Sequence, residues 1–341
     1  MNKPLVTINI VVFNGEKYLR HCLNAVRSQT YDNVQVNVFD NASTDSTREI
    51  VRQEFPEYKL IAHPENIGMW PGQEKALEYS HGDYIVALSV DVMLHSEFIE
   101  KALNFIERDP SIGAIQAKVY SYEYNQLADG KYTESRTIDT CGFQLKRSRR
   151  VTNIGHGQHD AVQFDDSREV FAVEGAVPFV RRSAFEDLRV GDSIIDKNYF
   201  WYGDDLDLTW RMRLFGWKQF YVPDAIAYHD RSTTKGHSRS VLDYLRRVSI
   251  RQQIPLKKRI WDWTNVRFTI VKNDYIINIL KDLPFIAARE VQIIGYWLLF
   301  EPGMFKAIPR FFRLLPRMIR QRRLIMARAK ASPNEIHRWF L

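Results

Sequence analysis

The chain has 341 residues, 45% hydrophobic and 26% charged, a balance that fits a folded globular protein and excludes a disordered or fibrous one. Its net charge of +7 hides an asymmetry: residues 241–341 carry 20 Lys+Arg against 7 Asp+Glu, a net +13, and residues 1–240 carry 28 against 34, a net −6. Two cysteines, Cys22 and Cys141, are too few for a disulfide framework or a cysteine metal cluster, so a reducing cytosol is the expected compartment.

The first 120 residues alternate strand and helix signals. Leu5 to Phe13 is rich in β-branched residues, too short to span a membrane and without the small-residue cleavage site of a signal peptide. A helix with an apolar face at Leu19, Cys22, Leu23 and Val26 follows Gly15. Val34 to Phe39 forms a second strand ending at Asp40, and Asn41 to Asp45 caps a helix through Ile50 and Val51. Lys59 to Ala62 is a short strand, Gly72 to Tyr79 a helix, Tyr84 to Ser89 a strand, Ser96 to Arg108 a helix and Ile112 to Val119 a strand. Repeated β-α units imply an α/β fold with a mostly parallel sheet. Residues 120 to 170 read as loops and hairpins, Val170 to Arg181 as a strand region, and Lys218 to Val222 as a strand stopped by Pro223. Beyond residue 240 the pattern turns helical, aromatic and basic.

No Gly-x-Gly-x-x-Gly follows the first strand and no Gly-x-x-x-x-Gly-Lys-Ser/Thr occurs, which argues against a dinucleotide fingerprint and a P-loop. Polar residues stand instead just past expected strand ends, at Asn14, Asp40 and Asp91, where ligands of such sheets sit. Asp40 can accept from a base N–H or a ribose hydroxyl, and serves equally well to start a turn. Asp91 suits Mg2+ or Mn2+, which take one or two protein carboxylates and fill their shells with phosphate oxygens and water. The alternative is a solvated carboxylate ahead of the helix cap at Ser96. His229 follows the last strand signal, where it completes a metal or diphosphate site or is simply structural. The most informative stretch is Phe200-Trp-Tyr-Gly-Asp204-Asp205-Leu-Asp207-Leu-Thr-Trp210-Arg211. A carboxylate after an aromatic run can remove a proton from an incoming hydroxyl. Acidic residues also gather at helix starts for dipole reasons.

Read in order, Val12-Phe-Asn14-Gly15, Gln29-Thr30-Tyr31, Phe39-Asp40-Asn41-Ala-Ser43-Thr-Asp45, Glu65-Asn66-Ile-Gly68, the strand ending at Asp91, Glu174-Gly175-Ala176, the block from Tyr202 to Arg211 and Val222-Pro-Asp-Ala-Ile-Ala-Tyr-His229 carry a resemblance. The sequence resembles the family 2 inverting glycosyltransferases, particularly rhamnosyltransferase-like enzymes of bacterial surface polysaccharides, most closely over residues 5–235. The resemblance implies a GT-A-type fold and transfer of a sugar such as rhamnose from a UDP-, dTDP- or GDP-linked donor to a lipid-linked or glycan acceptor. It places donor contacts at Asn14, Asp40, Asn41, Asn66, Gly68 and Asp91, and acceptor contacts at Gly175, Ala176, Trp201, Tyr202 and Trp210. Ser89-Val90-Asp91 matches the family's metal motif, so Mg2+ or Mn2+ is expected at Asp91 and His229. Asp204-Asp205 matches its Glu-Asp pair, with Asp205 as the expected base. Ser89 departs from the family's first Asp or Asn, leaving one carboxylate in the motif, and Asp204 departs from the usual Glu. Arg231, Lys235 and Arg239 are positioned to close over a diphosphate.

These readings divide the chain into a catalytic domain, 1–240, with a nucleotide-binding half (1–120) and an acceptor half (121–240), and a basic helical region, 241–341. In that region Arg310, Arg313, Arg317 and Arg320 form one helical stripe, Pro309 suits a helix start and Pro316 is expected to kink or divide the helix. Ile293 to Phe300 is too short to span a bilayer, and Arg289-Glu290 interrupts any extension. An anionic membrane surface is the expected partner, with the protein peripheral on the inner face of the cell membrane; packing of the tail on the catalytic domain is the alternative. A sugar nucleotidyltransferase would need a Gly-rich, basic loop where Asn14-Gly15 stands. A nucleic-acid-binding tail would leave Asp40, Asp91 and Asp205 without a purpose, so no nucleic acid is expected.

Overall fold

A computed structural model describes residues 3–127, 130–230, 248 and 251–341. Strand β1 (Val6–Val12) pairs in parallel with β2 (Val34–Asp40) on one side and β4 (Tyr84–Ser89) on the other, and β3 (Lys59–Ala62) continues the parallel run beyond β2. Every residue of β1 is buried, as expected of an apolar strand covered on both faces. Helices α1 (Glu16–Arg27), α2 (Thr47–Glu54) and α3 (Met69–Ala76) make the connections, and α1 buries the anticipated stripe of Leu19, Cys22, Leu23 and Val26.

After β5 (Val92–Leu94) and α4 (Phe98–Ile106), β6 (Ile112–Ser121) is separated from β4 by β11 (Phe179–Arg181), which runs antiparallel to both. Strand β12 (Lys218–His229) lies parallel to β6. The carboxyl ends of β1, β2, β4, β6 and β12 therefore share one edge of the sheet. Short strands β7 (Ile138–Thr140) and β10 (Arg168–Glu169) extend the sheet, and β8 (Phe143–Leu145) with β9 (Val151–Asn153) forms a separate hairpin. Helix α5 (Arg182–Asp187) follows β11, and α6 (Asp204–Leu214) precedes β12.

Two expected strands differ from those observed. Only Phe179–Arg181 of the 170–181 region is a strand, because the backbone N–H groups of Val173 and Glu174 bond to the side-chain amides of Gln219 and Gln116 instead of a ladder partner. Strand β12 runs on past Pro223 to His229, and its ladder with β6 shifts between Val222 and Ile226. A bulge accommodates the missing proline N–H. It also carries His229 to the edge where Asp91 lies.

The C-terminal helices are α7 (Leu256–Asn273), α8 (Ile276–Lys281), α9 (Leu283–Phe300), α10 (Ala307–Met326) and α11 (Pro333–His337). They pack on the sheet domain. Buried Arg149 bonds to Asp274 and Asp282 at 2.7 Å each, and Phe340 packs edge-on against Trp210. Helix α10 continues through Pro316 and is not divided there. Met318 is fixed in a cluster with Tyr199 and Phe268, which holds the helix across the lost hydrogen bond. The arginine stripe is also divided: Arg310 turns inward to the Asn198 carbonyl at 2.9 Å, leaving Arg313, Arg317 and Arg320 exposed.

The apolar segment is longer than the sequence reading allowed. Helix α9 has 18 residues at a mean hydropathy of 1.3, long and apolar enough by length and composition to cross a membrane, and only 6% of it is buried. Its charges do not interrupt the outer face. Glu290 pairs with Arg267 at 2.6 Å and Arg289 donates to the Ser148 carbonyl at 3.2 Å, so both face the protein while Val291, Leu298 and Leu299 face outward.

Candidate active site

At the shared edge of the sheet a cleft of about 430 Å3 opens between the first strand ends and α6. The wall beside these strand ends is tied together by asparagines. Asn14 takes a left-handed conformation (φ 50°), donates its backbone N–H to Ser43 Oγ at 2.9 Å, and accepts from Thr44 N–H at its side-chain oxygen at 2.8 Å. Asn41 donates to the Gly68 carbonyl at 3.0 Å and accepts from Ile67 N–H at 2.9 Å, and Asn66 accepts from Gly68 N–H at 3.0 Å. Gly68 has φ 96°, and a Cβ there would stand 2.6 Å from the Phe200 carbonyl oxygen, so glycine is required. Asn14, Asn41, Asn66, Gly68 and Asp91 all line the cleft. Asp40 does not: its carboxylate is fully buried, paired with Arg48 and accepting from Ser43 N–H at 3.2 Å.

Asp91 and His229 meet across the β4 and β12 ends, with Nε2 3.6 Å from Oδ2. The other ring nitrogen, Nδ1, lies 2.9 Å from Asp139 Oδ2 on β7. Burial works against charge on the imidazole, yet Asp91 and Asp139 push its pKa up to about 10, so a divalent cation bound at Nε2 would have to displace a proton there. Asp91 Oδ1 is buried and without a hydrogen-bond partner. An unsatisfied carboxylate oxygen beside an imidazole nitrogen oriented by a second carboxylate fits a divalent cation that completes its shell with phosphate and water. Among the described residues no cluster of three or more His, Cys, Asp or Glu gathers around a common point.

The adjacent carboxylates open α6. Asp204 is buried, and that burial, followed by the charge of Asp205, pushes its carboxyl well above the usual carboxylate range. Asp205 lines both this cleft and a second one of about 370 Å3 that it shares with Asp91, Glu174 and His229. Both side chains reach this cleft, but burial disfavours charge on Asp204, whereas Asp205 is the one that also reaches the second cleft. Gly175 leaves room for it: a Cβ there would meet Asp205 Cβ at 2.7 Å and Oδ2 at 2.8 Å. Ala176, Trp201 and Tyr202 also line the cleft. Trp210 does not and is corrected: it is fully buried against Phe171 and Phe340, in the core beneath α6, because this helix is enclosed on nearly every side.

The turn before α6 is held from a distance. Tyr202 has φ 65°, a strained value for an aromatic residue, and Gly203 follows at φ 78°. Asn265 of α7 donates to the carbonyls of Trp201 and Tyr202 at 2.9 Å each, and Thr269 to that of Gly203 at 3.2 Å. Below them, buried Lys272 and Asn273 bond to Asp207 at 2.8 and 2.7 Å. Sequence reasoning missed Asp139 and Asn265. Asp139 sits in a stretch without periodicity, and Asn265 lies in a helix whose aromatic and basic character pointed to a surface role. Arg231, Lys235 and Arg239 lie outside the described residues.

A mostly parallel sheet with a carboxylate and a histidine at its strand ends, facing an acidic helix start, defines the GT-A class of nucleotide-sugar transferase folds. Residues 7–188 match the sequence profile described as Glycosyl transferase family 2, and the chain belongs to that family. An uncharacterized glycosyltransferase of Haemophilus influenzae is 34% identical over 109 residues, 31% of this chain and 44% of that protein. Glycosyltransferase AglE of Haloferax volcanii is 33% identical over 108 residues, 30% of this chain and 36% of that one. The matched stretch thus spans less than half the length of these relatives. Among solved structures, GalNAc-T7 with UDP, GalNAc and Mn2+ shares the fold at a TM-score of 0.54 and 14% identity, over 79% of this chain and 51% of that one. TarS 1-349 of S. aureus in complex with UDP does so at 0.54 and 13%, over 91% of each chain.

Proposed function

We propose that the protein is an inverting glycosyltransferase of glycan synthesis that moves a sugar from a nucleoside diphosphate to an acceptor hydroxyl, with Asp205 as the base. The observation that carries this is the unequal pair at the start of α6: burial disfavours charge on Asp204, and Asp205 reaches both clefts that contain Asp91. Asp205 takes the proton from the acceptor hydroxyl, the oxygen attacks the anomeric carbon, and the bond to the diphosphate oxygen breaks on the opposite face. Asp91 and His229 would hold Mg2+ or Mn2+, which supplies positive charge against the departing diphosphate. Asn14, Asn41, Asn66 and Gly68 form the nucleoside wall, and Asp40 supports it from behind by fixing Arg48 and the turn at Ser43. Gly175, Ala176, Trp201 and Tyr202 face the acceptor. In this reading residues 1–240 form the catalytic domain, with a donor half up to 120, and 241–341 the basic helical region.

The donor is tested by adding UDP-, dTDP- and GDP-sugars, rhamnose first, with and without Mn2+, and following hydrolysis and thermal stabilisation. One nucleotide should stabilise the protein and be hydrolysed only with metal. No response to any of them would contradict the reading.

Peripheral attachment to the inner face of the cell membrane, near a lipid-linked acceptor, fits the outer face of α9 and the net +13 of residues 241–341. Replacing Leu298 and Leu299 by Gln should release the protein from anionic vesicles more than replacing Arg313 and Arg320 does. The reverse ranking would return the contact to the arginine stripe.

A further inference from the structure

Beside the reaction cleft lies a larger cavity of about 590 Å3, continuous with it because Val151, Asp262 and Val266 line both. Helices α7 and α9 and the β8–β9 hairpin wall it. Trp263, Tyr296 and Trp297 supply aromatic surface, and Arg150, Arg251, Arg267 and Arg289 bring four guanidinium groups to it. Two of these are already committed. Arg267 is paired with Glu290 at 2.6 Å, and Arg251 with Glu301 at 3.1 Å. Arg150 and Arg289 form no ion pair among the described residues, and Arg289 makes its hydrogen bond to a carbonyl, that of Ser148. Burial lowers the Arg289 guanidinium pKa, Glu290 raises it, and the charge of Arg150 lowers it again, with Asp262 a smaller opposing influence. Asp262 also lines the cavity, where burial pushes its carboxyl upward against the pull of Arg251, Arg267 and Arg289. Two like charges brought together over an aromatic floor are costly unless an anion joins them.

We propose that this cavity is an acceptor subsite that binds a phosphate or diphosphate group carried by the acceptor, with Arg150 and Arg289 as its ligands. The proposal rests on the transferase reading for the word acceptor, and on the cavity alone for the anion. Guanidinium forks match phosphate oxygens in pairs, and partial burial strengthens the contact. The continuity with the cleft of Asp205 lets one molecule place its anion here and its hydroxyl at the base. The apolar face of α9 gives an attached hydrocarbon chain a surface to lie on.

Inorganic pyrophosphate, titrated by calorimetry into the full chain in EDTA, is the direct test, since chelation removes metal-assisted binding at Asp91. Arg150→Gln combined with Arg289→Gln should weaken pyrophosphate binding by about tenfold or more. The exposed Arg150→Gln alone should shift it in the same direction and keep the thermal transition of the wild type. Binding of the nucleoside diphosphate with Mn2+ should not change in either variant. Unaltered pyrophosphate affinity in the double variant overturns the proposal, as does an equal loss in Asp91→Ala, which would place the anion in the donor cleft. Vesicles of phosphatidylcholine with and without phosphatidic acid separate the two sources of phosphate. Unchanged vesicle binding in the double variant supports the acceptor, whereas its loss assigns the arginines to a lipid headgroup and overturns the acceptor assignment. Failure of every nucleoside diphosphate to bind the wild type would sink the transferase reading while leaving the pyrophosphate result to judge the cavity.

Discussion

The ends of the cleft proposed to take the donor and the acceptor are built by different means. At the donor end, Asn14, Asn41 and Asn66 bond to turns that lie within about thirty residues of them, and all follow strands whose ends the sheet topology brings together. At the acceptor end, the turn that presents Asp205 adopts a strained conformation and is held by Asn265, more than sixty residues later. Strand ends thus place the first set with local chemistry alone. The second depends on a helix outside the matched family region, so the C-terminal helices are part of how Asp205 is positioned.

Four perturbations probe this contrast, from the largest effect to the smallest. Chelation of divalent metal, or Asp91→Ala, should abolish sugar transfer, and full transfer in EDTA would move charge stabilisation to arginine and lysine side chains. Asp139→Asn should weaken Mn2+ binding in the presence of nucleoside diphosphate by about 10–100-fold, because His229 loses the partner that orients it. Calorimetry of Mn2+ binding would show no change if Asp139 is only a packing residue. Asn265→Ala should lower kcat by roughly tenfold through misplacement of the Tyr202 turn, with nucleoside diphosphate affinity unchanged. A matched loss of donor binding would erase the distinction between the two ends.

The smallest effect is on stability. The folded-state pKa of Asp204 is raised, so its contribution to stability is complete at low pH and is lost as pH rises through the folded value. Asn cannot ionise. Asp204→Asn should therefore be more stable than the wild type near pH 8, with the gain shrinking towards pH 4. Thermal unfolding at the two pH values measures it, and a gain that is larger at pH 4 would mean that Asp204 is charged in the folded protein.

The sequence showed the parallel half clearly, because β-branched runs and turn residues repeat there with the expected spacing. Asp91 and His229 were legible for a related reason: Asp91 follows β4 and His229 ends β12. Asp40 was legible as a strand-end carboxylate, but its burial against Arg48 depends on a partner eight residues away whose direction no pattern encodes. Trp210 shows the limit of motif proximity, since one turn of α6 separates a cleft residue from the core. The outer face of α9 was obscured by Arg289 and Glu290, which read as interruptions until Arg267 and Ser148 were seen to take them up. Asp139 and Asn265 act through contacts distant in sequence, and periodicity cannot reveal such contacts.

The most direct test of the division between Asp204 and Asp205 is to compare Asp205→Asn with Asp204→Asn, measuring sugar transfer and nucleoside diphosphate binding on the same preparations. Asp205→Asn should lose about 10²–10⁴-fold in transfer while binding the nucleotide as the wild type does, because only proton removal is affected. Asp204→Asn should lose far less, since burial already disfavours charge on the carboxyl that Asn replaces. The opposite ranking of transfer rates would contradict the account and make Asp204 the base.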